Sequence, residues 1–517
     1  MPNSPSASPS AGGRKVILRS SLQLSPSWSQ RNITVAGSPP SLPDLDDKQR
    51  RHLDGDDEDD NELMELAFFP LLKETLEQDE QRREVATDDD GDDSTGTVGG
   101  GGSVDTYHSA SGIWQDVPMG PPDAILGIAQ AYRACKEPNK VNVCVGAYRD
   151  ENGKPWVLPS VRAAEKKLWE DEEVKEYLPI DGDPDFVVKA MRFAYGSEMD
   201  LDHLAAVQTL SGTGACRVGG IFLAQFWPRH PIYVPTPTWG NHIAIMKNAG
   251  LKVKQYRYFD KSKNALDLKG MLEDIFNAPD GSIILLHACA HNPTGTDPTI
   301  DEWKQIISLI SEKEHIAFFD SAYQGFASGD AEQDAQPFRY AVSQHVPILL
   351  AQSFAKNFGL YGERVGTLSV VCGDATQKDK ILSELKLIIR SMYSNPPRHG
   401  SSIVKTILSD DSLKNQYYAE CASMSKRIQS MRVRLVKALK NVGSKHDWSH
   451  VTAQIGMFAF TGLSEDMCGR LTDEFFIFLT VNGRISIAGL NESNVDYVAR
   501  AIHTVSEGKS ITQEAAT

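Results

Sequence analysis

No two of the seven cysteines form a Cys-x-x-Cys pair, and their number is odd. A complete disulfide framework is therefore excluded, and reduced thiols in an intracellular setting are expected. Long apolar runs are also missing. None approaches the roughly 18 residues that a bilayer-spanning helix needs, so no membrane partner is expected. The chain lacks clustered basic residues, and with them the electrostatic footprint of nucleic-acid binding. No internal repeat is present, which sets aside solenoids and propellers. What remains is a chain of 517 residues, 40% hydrophobic and 24% charged. That is ordinary globular composition, with length for two to four domains.

The net charge of −16 is unevenly spread. Residues 1–110 hold 22 acidic and 10 basic side chains, against 47 and 43 in the remainder. The first 43 residues contain 11 serines, the basic Arg14, Lys15, Arg19 and Arg31, and no acid. Two readings fit this composition: an organelle transit peptide, or a plain Ser/Pro-rich tail, since Pro2, Pro5, Pro9 and Pro26 weaken an amphipathic helix. From Asp44 to Asp93 the acidic blocks DGDDEDD and DDDGDD flank ELMELAFFPLLKETLEQ. Blocks of like charge stay solvated, and the apolar insert reads either as an incidental helix or as one that docks on an unknown partner. TGTVGGGGS at 95–103 is a flexible linker. Residues 1–105 are accordingly expected to be a disordered extension.

After Trp114 short apolar runs alternate with helix-length amphipathic segments. AAVQTLS, PIYVPTP, SIILLHAC, HIAFFDSAY, VPILLAQSF and VGTLSVVC read as strands, and TIDEWKQIISLISEKE as a helix opened by a Thr cap. Such alternation predicts an α/β fold with a mostly parallel sheet, whose ligands sit at the carboxyl ends of the strands. Those ends carry SGTG, PTWGNH, AHNPTG, DSAYQG and SFAKN, all expected on one edge.

Each loop admits a functional and a bland interpretation. SGTGACR (Ser211–Arg217) can cradle an anion at a helix N-terminus or be a structural turn. Asp320, ending a very apolar strand, needs a cationic partner or caps the next helix. His287 and His291 have no further ligands at metal spacing, so no metal site is expected and both read as packed core histidines. Lys356 in SFAKN either points into water or is a buried, reactive amine.

Taken together, SGTGA, PTWGNH, HACAHNPTG, FFDSAYQGFASGD, KNFGLYGERVG, MYSNPP and GRIS resemble the aspartate aminotransferases, in order, from about Trp114 to about Ser506. The resemblance implies a fold-type I homodimer that uses pyridoxal 5′-phosphate. It implies a large domain at 152–423 with a seven-stranded sheet, and a smaller α/β domain built from both chain ends, 112–151 and 424–510. By the same resemblance Lys356 bonds the cofactor's aldehyde and shuttles the substrate proton. Asp320 pairs with the ring nitrogen, supported by His242, while Tyr323 and Asn292 bond the ring oxygen and Trp239 stacks on the ring. Ser211, Gly212, Thr213, Ser353 and Arg364 hold the phosphate, joined by Tyr177 of the other subunit. Arg484 clamps the α-carboxylate. Arg390 pairs with the distal carboxylate across the interface, and Gly146, Trp239 and Asn292 complete the substrate site.

There are departures from the family pattern. Ser391 stands where proline is usual, which suggests a less rigid loop, and Cys216 stands where leucine is common. Ala355 replaces a serine of cytosolic-type members, and with QIGMFAFTGL and NVDYVARAIH it resembles the mitochondrial type. The expected activity is amino transfer between L-aspartate and 2-oxoglutarate, in the mitochondrial matrix or else in cytoplasm or plastid. The alternatives are an aromatic aminotransferase of the same subgroup and a non-catalytic scaffold.

Overall fold

The computed structural model describes residues 114, 116–120 and 126–507. The transit-peptide, acidic-block and linker readings lie outside the described residues. The chain divides into two units, Met1–Asp116 and Val117–Thr517, and the sheet and its helices lie in the second.

Seven strands form the central sheet: β1 (Leu204–Leu210), β2 (Ile232–Thr236), β3 (Val253–Arg257), β4 (Ile283–His287), β5 (Ile316–Ser321), β6 (Ile348–Ser353) and β7 (Val365–Val371). Their spatial order is β1-β7-β6-β5-β4-β2-β3. Only β7 runs antiparallel to its neighbours, so the expected mostly parallel sheet is present. β4 and β6 are buried at every position, as strands covered on both faces must be. Alternate residues feed two cores. Ile283, Leu285, Phe318 and Leu349 pack on one face, and Ile284, Leu286, Phe319 and Leu350 on the other. Each such side chain contributes on the order of 1.5–3 kcal/mol by leaving water. At one edge of the sheet, β3 exposes Lys254 and Arg257, and charged residues there discourage pairing with another chain.

The helix Ile300–Glu312 shows how local signals fix an element. Thr299 and Glu302 form a reciprocal capping box, and Trp303, Ile306, Ile307 and Ile310 bury one stripe. The N- and C-terminal parts meet in short strands, Val141–Asn142 pairing in parallel with Ile477–Phe478, and within the C-terminal part Phe458–Phe460 pairs antiparallel with Arg484–Ser486. Ser391 does not lie in a loop as expected. It sits in the last turn of the helix Ala375–Met392, and its hydroxyl donates to the Leu387 and Ile388 carbonyls. Serine keeps the backbone N–H that proline lacks, so the helix runs on past Arg390. All seven cysteines are free thiols. Among the described residues no helix is long and apolar enough to cross a membrane.

Candidate active site

β1, β2, β4, β5 and β6 run the same way, so their carboxyl ends share one edge of the sheet. β7 runs the other way, so its beginning, just after Arg364, lies at that same edge. A cleft opens there, enclosing about 540 Å³ of atom-free space with its mouth included. It is lined by Ser211, Gly212, Thr213, Trp239, Asn292, Asp320, Tyr323, Ser353, Lys356 and Arg364. A cleft of this size suits a small organic ligand.

One wall is built for an anion. Ser211 opens the helix Ser211–Phe226 directly from β1, and no side chain caps that helix, leaving its first N–H groups available. The Ser211 and Ser353 hydroxyls stand 2.9 Å apart, and Ser353 Oγ accepts from the Ala355 N–H at 3.2 Å. Arg364 donates to the Tyr361 carbonyl at 3.0 Å. Ser211 and Arg364 hold left-handed backbone angles of φ 61° and 54°, a strain that tertiary packing must hold in place. Gly366 permits the close approach of β7: a Cβ there would lie 2.5 Å from the Ser211 carbonyl carbon and 2.6 Å from the Gln352 oxygen.

A chain of hydrogen bonds runs behind Asp320, and one obligatory donor fixes the tautomer at its start. The Asn292 backbone N–H donates to His287 Nδ1 at 3.3 Å. Burial and the neighbouring His242 push His287 down to about 3, so its ring is neutral and its proton is on Nε2. That proton goes to Thr238 Oγ1 at 3.3 Å. The Thr238 hydroxyl also shares a hydrogen bond with His242 Nδ1, 2.9 Å away, and His242 Nε2 bonds Asp320 Oδ2 at 3.0 Å. Burial opposes charge on Asp320. The His242 hydrogen bond, with the Lys356 ammonium nearby, outweighs it and holds the carboxyl below its usual range. Cys216, His242 and Asp320 bring ligand atoms within 4.8 Å of one another. Both His242 nitrogens are already hydrogen-bonded, and burial drives the Cys216 thiol well above its ordinary value, so the cluster supports the carboxylate.

Lys356 lies in the opposite position, partly buried, with its Nζ 5.5 Å from the Tyr323 ring centre. Burial lowers its pKa. Asp320 pulls it back up, and Arg364 and Arg484 lower it further. Burial also raises the Tyr323 phenol, so it remains a proton donor. Arg484 is 4% exposed and donates to the Cys144 carbonyl at 3.0 Å and to Asn292 Oδ1 at 3.3 Å. Its guanidinium lies 4.2 Å from the Phe458 ring centre, and its Nε has no partner. Gly146 does not line the cleft but abuts that ring: a Cβ on it would fall 2.5 Å from Phe458 Cζ. Tyr177 and Arg390 are exposed, and neither borders the cleft of its own chain. Arg390 donates to Ser394 Oγ.

A family model described as aminotransferase class I and II matches residues 138–502. The chain belongs to this family. The aminotransferase is 52% identical over 396 residues to the mitochondrial aspartate aminotransferase of Schizosaccharomyces pombe, covering 76% of this chain and 91% of that one. The solved cytoplasmic aspartate aminotransferase of Saccharomyces cerevisiae is 45% identical, with a TM-score of 0.75 over 76% of this chain and 98% of the other. An aromatic-amino-acid aminotransferase from Burkholderia pseudomallei, solved covalently bound to pyridoxal phosphate, is 38% identical. Its TM-score is 0.74, over 76% of this chain and 99% of its own.

Sequence reasoning missed several residues of this aminotransferase's site, and read His287, which lines the cleft, only as a packed core histidine. Thr238 carried a signal, since it stands one helical turn before His242 in PTPTWGNH. Cys289, which lines the cleft, and Phe458, under Arg484, carried none.

Proposed function

We propose that this aminotransferase transfers the amino group of L-aspartate to 2-oxoglutarate, giving oxaloacetate and L-glutamate, with pyridoxal 5′-phosphate as its cofactor. The observation that carries the reading is the pairing, in one cleft, of a desolvated lysine amine with a carboxylate kept ionised by the His242 hydrogen bond. The residues present fit this cofactor. Its dianionic phosphate would be held by the Ser211 and Ser353 hydroxyls, the Gly212 and Thr213 N–H groups and Arg364. Its ring nitrogen would be held by Asp320, its ring oxygen by Tyr323 and Asn292, and its face by Trp239. When bound, pyridoxal phosphate supplies an electron-poor ring that accepts the electron pair left when the substrate Cα loses its proton.

The chain's own groups do the rest. Lys356 gives up its proton more readily than an exposed lysine, so it can act as a nucleophile and then as the base and acid that moves the proton at Cα. Asp320, ionised in the cleft, would keep the cofactor's ring nitrogen protonated. Arg484, with a free Nε and no carboxylate partner among the described residues, would take the α-carboxylate. Arg390 and Tyr177 would complete the site of a partner copy, Arg390 on the distal carboxylate and Tyr177 on the phosphate, so the active unit is a homodimer. Their exposure on the isolated chain supports that role. The two-lobed division at 112–151, 152–423 and 424–510 belongs to the same proposal, supported by the pairing of Val141–Asn142 with Ile477–Phe478. The Ser/Arg-rich start and the 52% identity to a mitochondrial relative support a mitochondrial location.

The test is a visible spectrum of the purified protein with added pyridoxal phosphate, followed by turnover with aspartate and with phenylalanine. A pH-dependent absorption band and a clear preference for aspartate are expected. A protein that stays colourless would overturn the cofactor reading, and a preference for phenylalanine would favour the aromatic alternative.

A further inference from the structure

Arg432 lies in the long helix Asp411–Asn441 and is 1% exposed. Burial pulls its pKa down to about 9, and no carboxylate among the described residues pairs with it. Three backbone carbonyls receive its protons instead. Nη1 donates to Val451 at 2.9 Å, and Nη2 to Gly456 at 2.8 Å and to Phe458. Its Nε has no partner. An apolar side chain of similar volume would fill the same space without desolvating a cation, so packing alone gives no reason for an arginine here.

The three carbonyls belong to one stretch, residues 451–458, which runs from the short helix Ser449–Ala453 through a turn to the strand opening at Phe458. This turn with its strand meets the active site twice. Phe458 offers its ring to the Arg484 guanidinium at 4.2 Å, and its strand pairs with Arg484–Ser486, Phe460 standing opposite Arg484. On the other side the Ile455 N–H donates to the Gly295 carbonyl at 2.6 Å. Gly456 comes so near the same loop that a Cβ on it would fall 2.3 Å from the Ala290 Cβ. Between Ala290 and Gly295 stands Asn292, whose Oδ1 accepts from Arg484. A single buried cation thus ties down both surfaces against which a second cation is set.

We infer that Arg432 is a positioning residue for substrate carboxylate recognition, acting through Arg484. Losing its donors would leave three carbonyls unpaired and let the turn relax. Phe458 and the Asn292 loop would then no longer hold the Arg484 guanidinium in one place, and a displacement near 1 Å is enough to weaken a directional contact severely. The inference rests on the proposed role of Arg484.

Arg432→Met and Arg432→Lys in the full-length enzyme loaded with pyridoxal phosphate, with Arg484→Lys beside them, provide the test. Arg432→Met should raise KM for the amino acid and the oxo acid alike by about tenfold, while kcat changes less than about threefold. The visible absorption band and its pH titration should not move, and Arg432→Lys should recover most of the loss. A folded Arg432→Met protein with unchanged KM, or with kcat reduced alone, would leave Arg432 a packing residue and overturn the inference. If Arg432→Met does not fold, Arg432→Lys decides: KM raised by about two- to threefold supports it, and unchanged KM overturns it. Arg484→Lys separates the two claims. Unchanged KM there overturns the role of Arg484 and the inference with it. Raised KM there, with Arg432 variants unaffected, overturns the inference alone.

Discussion

Lys356 follows a strand buried at all six positions, and that placement accounts for its chemistry. Loss of water disfavours the ammonium, and Arg364 and Arg484 add repulsion. Replacing it with alanine removes nucleophile and proton carrier together. Turnover should fall by about 10⁴-fold or more. Cofactor retention should survive, because the phosphate groups of the site are untouched. Turnover and bound pyridoxal phosphate, measured separately, check both halves, and near wild-type turnover would refute the assignment. Arg390 is the matching test for specificity. Arg390→Asp should reverse the preference from aspartate toward lysine and arginine, since a carboxylate left without its arginine loses about 3–5 kcal/mol. Relative kcat/KM for the two substrate types decides it. Continued preference for aspartate would show that Arg390 does not read the side chain.

At the scale of elements, the turn that follows Tyr323 hangs on one carboxyl group. Asp334, 4% exposed, accepts the Gly325 N–H at 2.8 Å and the Ser328 N–H at 3.2 Å. Burial raises it to about 7 in spite of these donors. Its proton is therefore held more tightly in the folded chain than in the unfolded one. The stability it confers is complete below the ordinary carboxylate pKa of about 4 and drains away as pH rises through about 7. Asp334→Asn keeps an acceptor for the turn and cannot titrate. The variant should gain on the wild type between pH 4 and 8, by up to about 4 kcal/mol. Urea midpoints across that range measure the difference, and two parallel curves would exclude it.

For the whole molecule, the prediction concerns residues 1–105. All the assigned site residues lie beyond Trp114, after the Gly-rich stretch at 95–103. Deleting residues 1–105 should leave dimer formation, the cofactor spectrum and the aspartate kinetics unchanged. Fused to a reporter, they should direct it to mitochondria. Sedimentation and assay of the truncated protein test the first statement, and reporter imaging the second. Lost activity would mean that the ELMELAFFPLL segment supports the enzyme, whereas a diffuse cytosolic reporter would reject the targeting role alone.

The amino-acid sequence by itself determined the alternation of strands and helices, the Thr299 cap and the loops that end β1, β2, β4, β5 and β6. It also determined that Asp320 and Lys356 stand at strand ends. These features depend on local periodicity, turn chemistry and burial, which act over a few residues. Ser391 shows the limit of that reasoning, because a loop was expected where an available N–H let a helix continue. Only the tertiary structure decided that β7 runs antiparallel, which carries Arg364 to the edge where the other loops gather. It also decided the chain of hydrogen bonds from Asn292 through His287, Thr238 and His242 to Asp320, and the seating of Arg484 on Phe458. The partners in these contacts are distant in the chain or differently oriented by their loops. Their distances are set by close packing of the whole sheet and its helices, which no local pattern encodes.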